Sequence, residues 1–281
     1  MAVNSTGERV GYITSGCLEE AVTRDALSAI HDKTSKVVKY GKNSQYLDFR
    51  LPCGGSLTLY IHVKPDLALI TRCVHFLRSR EPFTLAYNSA LGTIAFSDDM
   101  ELGFGSRNRG GVLTRTYQPS PRFVLIGTGA ELETMARVTS AAGYETDVFT
   151  PDLDLEDNCA ASGVSFYHLK NAHVPPPLPN DSWTAFVFLF HDHDHEPTLI
   201  KSALTGPAFY IGALGSKKAH AERLHRLREL GIEETSLTRI HGPMGLIPSA
   251  RDPAILAIST IAEVIECFQQ TTASLQYTRA M

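Results

Sequence analysis

Two rhythms of apolar residues run along this chain, and they meet near Gln118. In the first part apolar positions mostly alternate with polar ones. "MAVN" and "RVGYI" flank a polar turn, "STGE", and predict a hairpin. Leu18, Ala21, Val22, Ala26, Ala29 and Ile30 recur at helical spacing. "KVVKY" predicts a strand ended by Gly41. "SLTLYIHV" sets Leu57, Leu59 and Ile61 against Thr58, Tyr60 and His62, the pattern of a half-buried strand. Pro65 is placed to open a second helix, which carries Leu69, Ile70, Cys73, Val74 and Leu77. "FTLAY", "GTIAFS" and "GGVLTRTYQ" predict short antiparallel strands.

"QPSPR" (Gln118 to Arg122) separates the two parts, because its prolines disfavour helix and stiffen the connection. Beyond it the strands become continuous apolar runs: "RFVLIG", "YETDVFT", "VSFYHL", "TAFVFLF" and "AFYIG". Helices fall between most of them, the first being "ELETMARVTSAAG", ended by Gly143. Such runs predict a parallel sheet buried on both faces. The fold class is therefore α/β, with a smaller N-terminal α+β domain over 1–118 and a Rossmann-like, doubly wound domain over 119–270. "PPPLP" reads as a surface loop. A last helix is expected from about Pro253 to Cys267, followed by a flexible tail over 271–281.

Composition changes this picture little. The 281 residues carry a formal net charge of -4 and no basic run, which speaks against nucleic acid as a partner. The longest apolar stretch, "AFVFLF", is too short for a membrane span, and the start lacks the apolar segment of a signal peptide. Five cysteines form no CxxC pair and no zinc spacing. An odd number without an export signal argues for reduced thiols and a cytoplasmic location.

Candidate chemistry sits at strand ends. Gly127 and Gly129 in "LIGTGAELETMA" follow a strand and open a helix, the setting of a dinucleotide fingerprint. The third position of that fingerprint is Leu132, and Thr150 stands where a ribose-binding acid would be. NAD(P) is thus one cofactor to weigh; the other reading is a tight turn that binds no dinucleotide. In "FYIGALGSKKAHAERLHRL", Gly212 and Gly215 lead to Ser216, Lys217 and Lys218. Ser216 suits a helix N-cap, and lysines in a first turn oppose the helix dipole unless an anion is held there. The alternative is a solvated, capped helix. His191, His193 and His195 alternate with acids in "FLFHDHDHEP", so a metal site, a polar contact or a charged turn are all open. Cys17 stands where a helix begins, a place that stabilises thiolates, and Cys53 lies in the glycine-rich "LPCGGS". Cys73 and Cys267 read as core, and Cys159 as a loop thiol without an activator. "RIHGPMGLIPSARDP" reads as a stiff loop before the closing helix.

Taken in order, "GYITSGCLEEAV", "LPCGGSLTLYI", "RFVLIGTGAELETMARVTSAAGYE", "FHDHDHEP", "AFYIGALGSKKAHAERLHRL" and "RIHGPMGLIPSARDPAILAISTIAEVI" resemble the xanthine dehydrogenase accessory factor family, XdhC/CoxI. The resemblance runs from Met1 to Phe268. It implies a cysteine-bearing N-terminal domain joined to a Rossmann-like one, and a role in maturing molybdenum hydroxylases. Such proteins bind molybdenum cofactor (molybdopterin), help its terminal sulfur to be installed or kept, and deliver it to a xanthine dehydrogenase-type apoenzyme. An accessory protein is expected rather than a turnover enzyme, with a cysteine desulfurase as a further partner and a homodimer as the assembly. By this resemblance Cys17 and Cys53 occupy the family's two cysteine motifs and face the molybdenum. Gly212, Gly215, Ser216 and Lys217 then hold the phosphate or nucleotide end, in a cleft shared with the thiols. The chain departs from the family in "GTGA" for "GAGH", in Thr14 before Ser15-Gly16-Cys17, and in a start that lacks the first N-terminal helix and strand. An NAD(P)-dependent oxidoreductase, a metal-binding regulator and a non-catalytic scaffold remain the alternatives.

Overall fold

The computed structural model describes the chain except residues 15, 17, 43, 45–54, 101–104, 172–173, 175, 192–195 and 279–281. It divides into two compact units, Met1–Gln118 and Pro119–Met281.

In the first unit, β1 (Ala2–Val3) and β2 (Arg9–Val10) form the opening hairpin. Helix α1 (Glu19–Asp32) buries Val22, Ala26 and Ala29, one face of its helical stripe. β3 (Lys36–Gly41) pairs antiparallel with β4 (Ser56–Ile61). Leu57, Leu59 and Ile61 of β4 pack with Leu18, Val22, Val38 and Tyr40 into a small core, as period-two alternation requires. Helix α2 (Leu67–Arg78) begins at an Asp66 cap rather than at Pro65. Its five expected core positions split. Leu69 and Cys73 are half-buried, whereas Ile70, Val74 and Leu77 are exposed. Phe76, itself half-buried, stacks on Phe83 at 5.5 Å and sets the packed face instead. Strands β5 (Phe83–Asn88), β6 (Thr93–Ser97), β7 (Ser106–Arg109) and β8 (Val112–Tyr117) form an antiparallel sheet in the order β6-β5-β8-β7. β7, entirely exposed, carried no apolar signal in the sequence.

The second unit is a six-stranded parallel sheet. Its strands are β9 (Arg122–Gly127), β10 (Glu145–Thr150), β11 (Ser165–His168), β12 (Thr184–Leu189), β13 (Tyr210–Ala213) and β14 (Ile240–His241), in the order β11-β10-β9-β12-β13-β14. The order reverses between β9 and β12, the crevice where open α/β sheets bind ligands. Both faces are covered. Phe123 and Leu125 of β9 join a core with helices α3 (Gly129–Ala141) and α8 (Pro253–Thr278). Val124 and Ile126 point the other way, into a core with α5 (Glu196–Leu204) and α6 (Lys217–Glu229). The short helices α4 (Glu156–Ala161) and α7 (Glu234–Leu237) complete the set. Helix α8 does not stop near Cys267. No glycine or proline interrupts "QQTTASLQYT", and the Thr271 and Thr272 hydroxyls donate to the carbonyls of Cys267 and Phe268 at 2.9 and 3.0 Å. Among the described residues, no helix is long and apolar enough to cross a membrane.

Candidate functional site

The glycine turns lie where the strands of the second unit end. Gly127 closes β9, and a Cβ there would lie 2.5 Å from the carbonyl carbon of Leu189 on β12. Close approach of two backbones therefore requires this glycine, whether or not a ligand binds. Gly129 opens α3 at φ +85, a conformation that costs a side chain dearly. The first turn of α3 carries Glu131, whose Oε2 lies 3.3 Å from Nε2 of the exposed His191. A carboxylate thus stands beside the helix start that a dinucleotide's pyrophosphate would approach, which weakens the NAD(P) reading. His191 is the one member of the histidine run that is described; His193 and His195 lie outside the described residues. Among the described residues, no group of three or more His, Cys, Asp or Glu is arranged to hold a metal ion.

The second turn is built differently. Gly212 lies inside β13, paired with Val187 on one side and His241 on the other, so its backbone belongs to the sheet rather than to the turn. Its missing side chain makes room for the Tyr210 ring, 2.5 Å from where a Cβ would be. The turn itself is Leu214–Gly215–Ser216, with Gly215 at φ +139. The Ser216 hydroxyl accepts from the Ala219 amide at 3.2 Å and caps α6. The amides of Lys217 and Lys218 stay at the open helix end. Lys218 leans back toward Glu222 at 3.9 Å. No acid occupies this first turn, in contrast to α3.

Beneath the turn is a charged pair that sequence reasoning did not single out. Arg223 Nε donates to Glu196 Oε2 at 2.9 Å, with both side chains essentially inaccessible. Its Nη2 donates to the Leu214 carbonyl at 2.6 Å, and Nη1 lies 3.5 Å from His220 Nδ1. The first residue of α5 is thereby tied to the β13–α6 turn. One signal was available: Arg223 sits four residues before Leu227, on the buried face of α6.

A second polar cluster was missed at the end of β14. Glu263 on α8 accepts from the Tyr210 hydroxyl at 2.9 Å and from the Gly245 amide, and lies 3.3 Å from His241 Nδ1. Burial pushes the Glu263 carboxyl up, but bonds from His241, Gly245 and Tyr210 outweigh it and hold the group below the usual range. Burial, then the Glu263 charge, pushes the Tyr210 phenol up. The His220 imidazole is pushed down by burial, then by Arg223 and His241.

In the first unit, Cys17 and Cys53 lie outside the described residues. Glu19, at the start of α1, is buried at 2% exposure. Its carboxylate accepts from the amides of Ile13, Thr14 and Leu18 at 3.1, 2.7 and 3.2 Å, and from the Thr14 hydroxyl at 3.0 Å. The Thr14 amide is the chief cause that holds Glu19 down at about 2. The three described cysteines are Cys73 and Cys267, both half-buried, and Cys159, which is buried on α4 rather than in a loop. Burial pushes all three thiols up, so none is primed as a thiolate. A cavity of about 420 Å³ lies toward the opposite strand ends, lined by Arg122, Glu145, Asp147 and Tyr167 among others.

Comparison with known proteins agrees with this architecture. Residues 123–264 match the XdhC Rossmann domain, and residues 1–41 match the XdhC and CoxI family. The chain is 31% identical, over 94% of its length and 76% of the relative's, to the molybdenum cofactor insertion chaperone PaoD of Escherichia coli (strain K12). It is 22% identical, over 95% of its length and 86% of the relative's, to a probable xanthine dehydrogenase component of Bacillus subtilis (strain 168). A crystal structure described as a xanthine dehydrogenase from Bacillus halodurans shares the fold, with a TM-score of 0.67 at 19% identity, over 95% of this chain and 85% of that one. The chain belongs to the XdhC and CoxI family.

Proposed function

We propose that this protein binds molybdenum cofactor and delivers it to a molybdenum hydroxylase of the xanthine dehydrogenase type. The observation that carries the reading is the α6 turn. It joins a glycine in a left-handed conformation, a serine cap and Lys217 at a helix start free of acids. These groups suit a phosphate, which the helix dipole and open amides favour. The similarity to an insertion chaperone over most of both chains supports the same reading. Gly215, Ser216 and Lys217 hold the phosphate or nucleotide end of the ligand. Gly212 serves indirectly, by admitting the Tyr210 ring. Gly127 and Gly129 form the neighbouring turn of the same sheet edge, with Glu131 setting it against a second pyrophosphate. Cys17 and Cys53 are the residues for the molybdenum, a soft metal that thiolates ligate. The assembly delivers a ligand and carries out no turnover of its own.

Activation of a cofactor-free molybdenum hydroxylase tests the role. Preloaded chain should raise the recovered hydroxylase activity well above that obtained with free cofactor. Equal activation with and without the chain would remove the delivery role. Loss of activation in Cys17→Ala with cofactor still bound would place the thiol in handling the molybdenum rather than in gripping the ligand.

A further inference from the structure

Helix α2 turns most of its aliphatic side chains away from the unit it belongs to. None of its 12 residues is fully buried. Leu69, Cys73 and Phe76 make the half-buried face, and Phe76 packs against Phe83 and Phe96 at 5.5 Å each. On the other side Leu67, Ile70, Val74 and Leu77 are 77%, 41%, 38% and 57% exposed. Their spacing of three, four and three residues is the a/d repeat of a helix–helix seam, not the scatter of ordinary exposed aliphatics. The polar groups nearby do not compete for this face. The Thr71 hydroxyl donates to the Leu67 carbonyl at 2.8 Å, and the Arg72 guanidinium lies over the Phe96 ring at 4.1 Å.

A seam of this kind is buried by another helix, and the stripe is complementary to itself. A two-fold axis level with Arg72 runs two α2 helices antiparallel. Leu67 then meets Leu77 of the second copy, and Ile70 meets Val74, so side chains of similar size face each other in every layer. Charge selects the same direction. Asp66 at the start of the helix comes level with Arg78 at the end of its mate, and the helix dipoles oppose each other. A parallel pair would set like charges side by side. The four side chains expose on the order of 400 Å² of aliphatic surface, the size of patch that marks an interaction site. A standard stable interface takes about 800 Å² from each partner, so this contact is reversible.

We propose that α2 is a self-association surface, on which a second copy of this chain packs its own α2 antiparallel along the Leu67–Ile70–Val74–Leu77 stripe. The half-buried face stays on Phe83 and Phe96, so the contact forms without rearranging the unit. No residue of α2 enters the cofactor reading, and either can fail without the other.

Sedimentation of the full chain over a range of concentrations tests this. Wild type should pass from monomer toward dimer as concentration rises. Leu77→Glu puts a charge into both outer layers and should weaken association about a hundredfold or more. Leu153→Glu, at an exposed leucine of the second unit, should leave it unchanged. Cross-linking reads the register. A Leu67→Cys chain mixed with a Leu77→Cys chain and oxidised should give far more covalent dimer than either variant alone or wild type. Like positions lie about 15 Å apart along the antiparallel axes, whereas Leu67 and Leu77 are level. The cross-link decides the matter even if Leu77→Glu fails to fold. A chain that stays monomeric at every concentration overturns the inference. So does a dimer that Leu77→Glu leaves intact, or a cross-link as strong in Leu77→Cys alone as in the mixture.

Discussion

Replacing Arg223 by methionine keeps most of the side chain's volume and removes only its guanidinium. Two bonds go with it, to Glu196 at 2.9 Å and to the Leu214 carbonyl at 2.6 Å. Glu196 is then left in a fully buried place without its cation. Breaking a buried ion pair from one side costs about 3–5 kcal/mol. For a unit of this size each kcal/mol lowers the unfolding midpoint by about 2–4 °C, so the expected drop is roughly 6–20 °C. Trp183 is the only tryptophan in the chain, is buried at 7% exposure and belongs to the same unit. Its fluorescence during thermal and urea unfolding reads this unit selectively. Glu196→Leu combined with Arg223→Met should recover most of the loss, because neither charge is then buried. A midpoint for Arg223→Met within about 2 °C of wild type, on the order of 1 kcal/mol or less, would refute the role given to the pair.

Three further outcomes follow from the same geometry. Gly127→Ala forces a methyl into the Leu189 carbonyl and should destabilise the second unit by about 2 kcal/mol or more, read by the same fluorescence. Glu19 is held down at about 2 from 4.5, so its stabilisation is complete above pH 4.5 and fades as pH falls toward 2. The protection factors of the Thr14 and Leu18 amides, taken against their intrinsic exchange rates at each pH, should fall over that window, and Glu19→Gln should remove the dependence. Lys217→Gln should weaken pyrophosphate binding several-fold, while Lys218→Gln, whose ammonium turns toward Glu222, should alter it less; isothermal titration distinguishes the two, and equal effects would count against the assigned geometry.

Local pattern carried most of the fold. The alternation in "SLTLYI" and the unbroken apolar runs of β9 and β12 each report burial within one element, which is what periodicity measures. The errors fell where burial is decided by something outside the element. The apolar stripe of α2 was divided by Phe76 and its aromatic partners, and α8 outran its apolar signal on threonines that bond back to the helix. The glycines of the site were legible because tight turns need them, but their reasons differ. Gly127 answers to Leu189, Gly212 to Tyr210, and Gly215 to the turn itself. The pairs that order the site were not legible. Arg223 and Glu196 are 27 residues apart and Tyr210 and Glu263 are 53, and no local rule joins partners at such distances. Only a charge in an apolar register, as at Arg223, hints at them.

The central claim is that this chain carries a pterin ligand on the α6 turn. Purifying it from a host that makes molybdenum cofactor, then oxidising and assaying the released pterin, tests that claim most directly. Wild type should yield close to one pterin per chain, and Lys217→Glu should yield far less at unchanged thermal stability. Wild-type protein that emerges without pterin, or a Lys217→Glu variant that retains as much as wild type, would contradict the account.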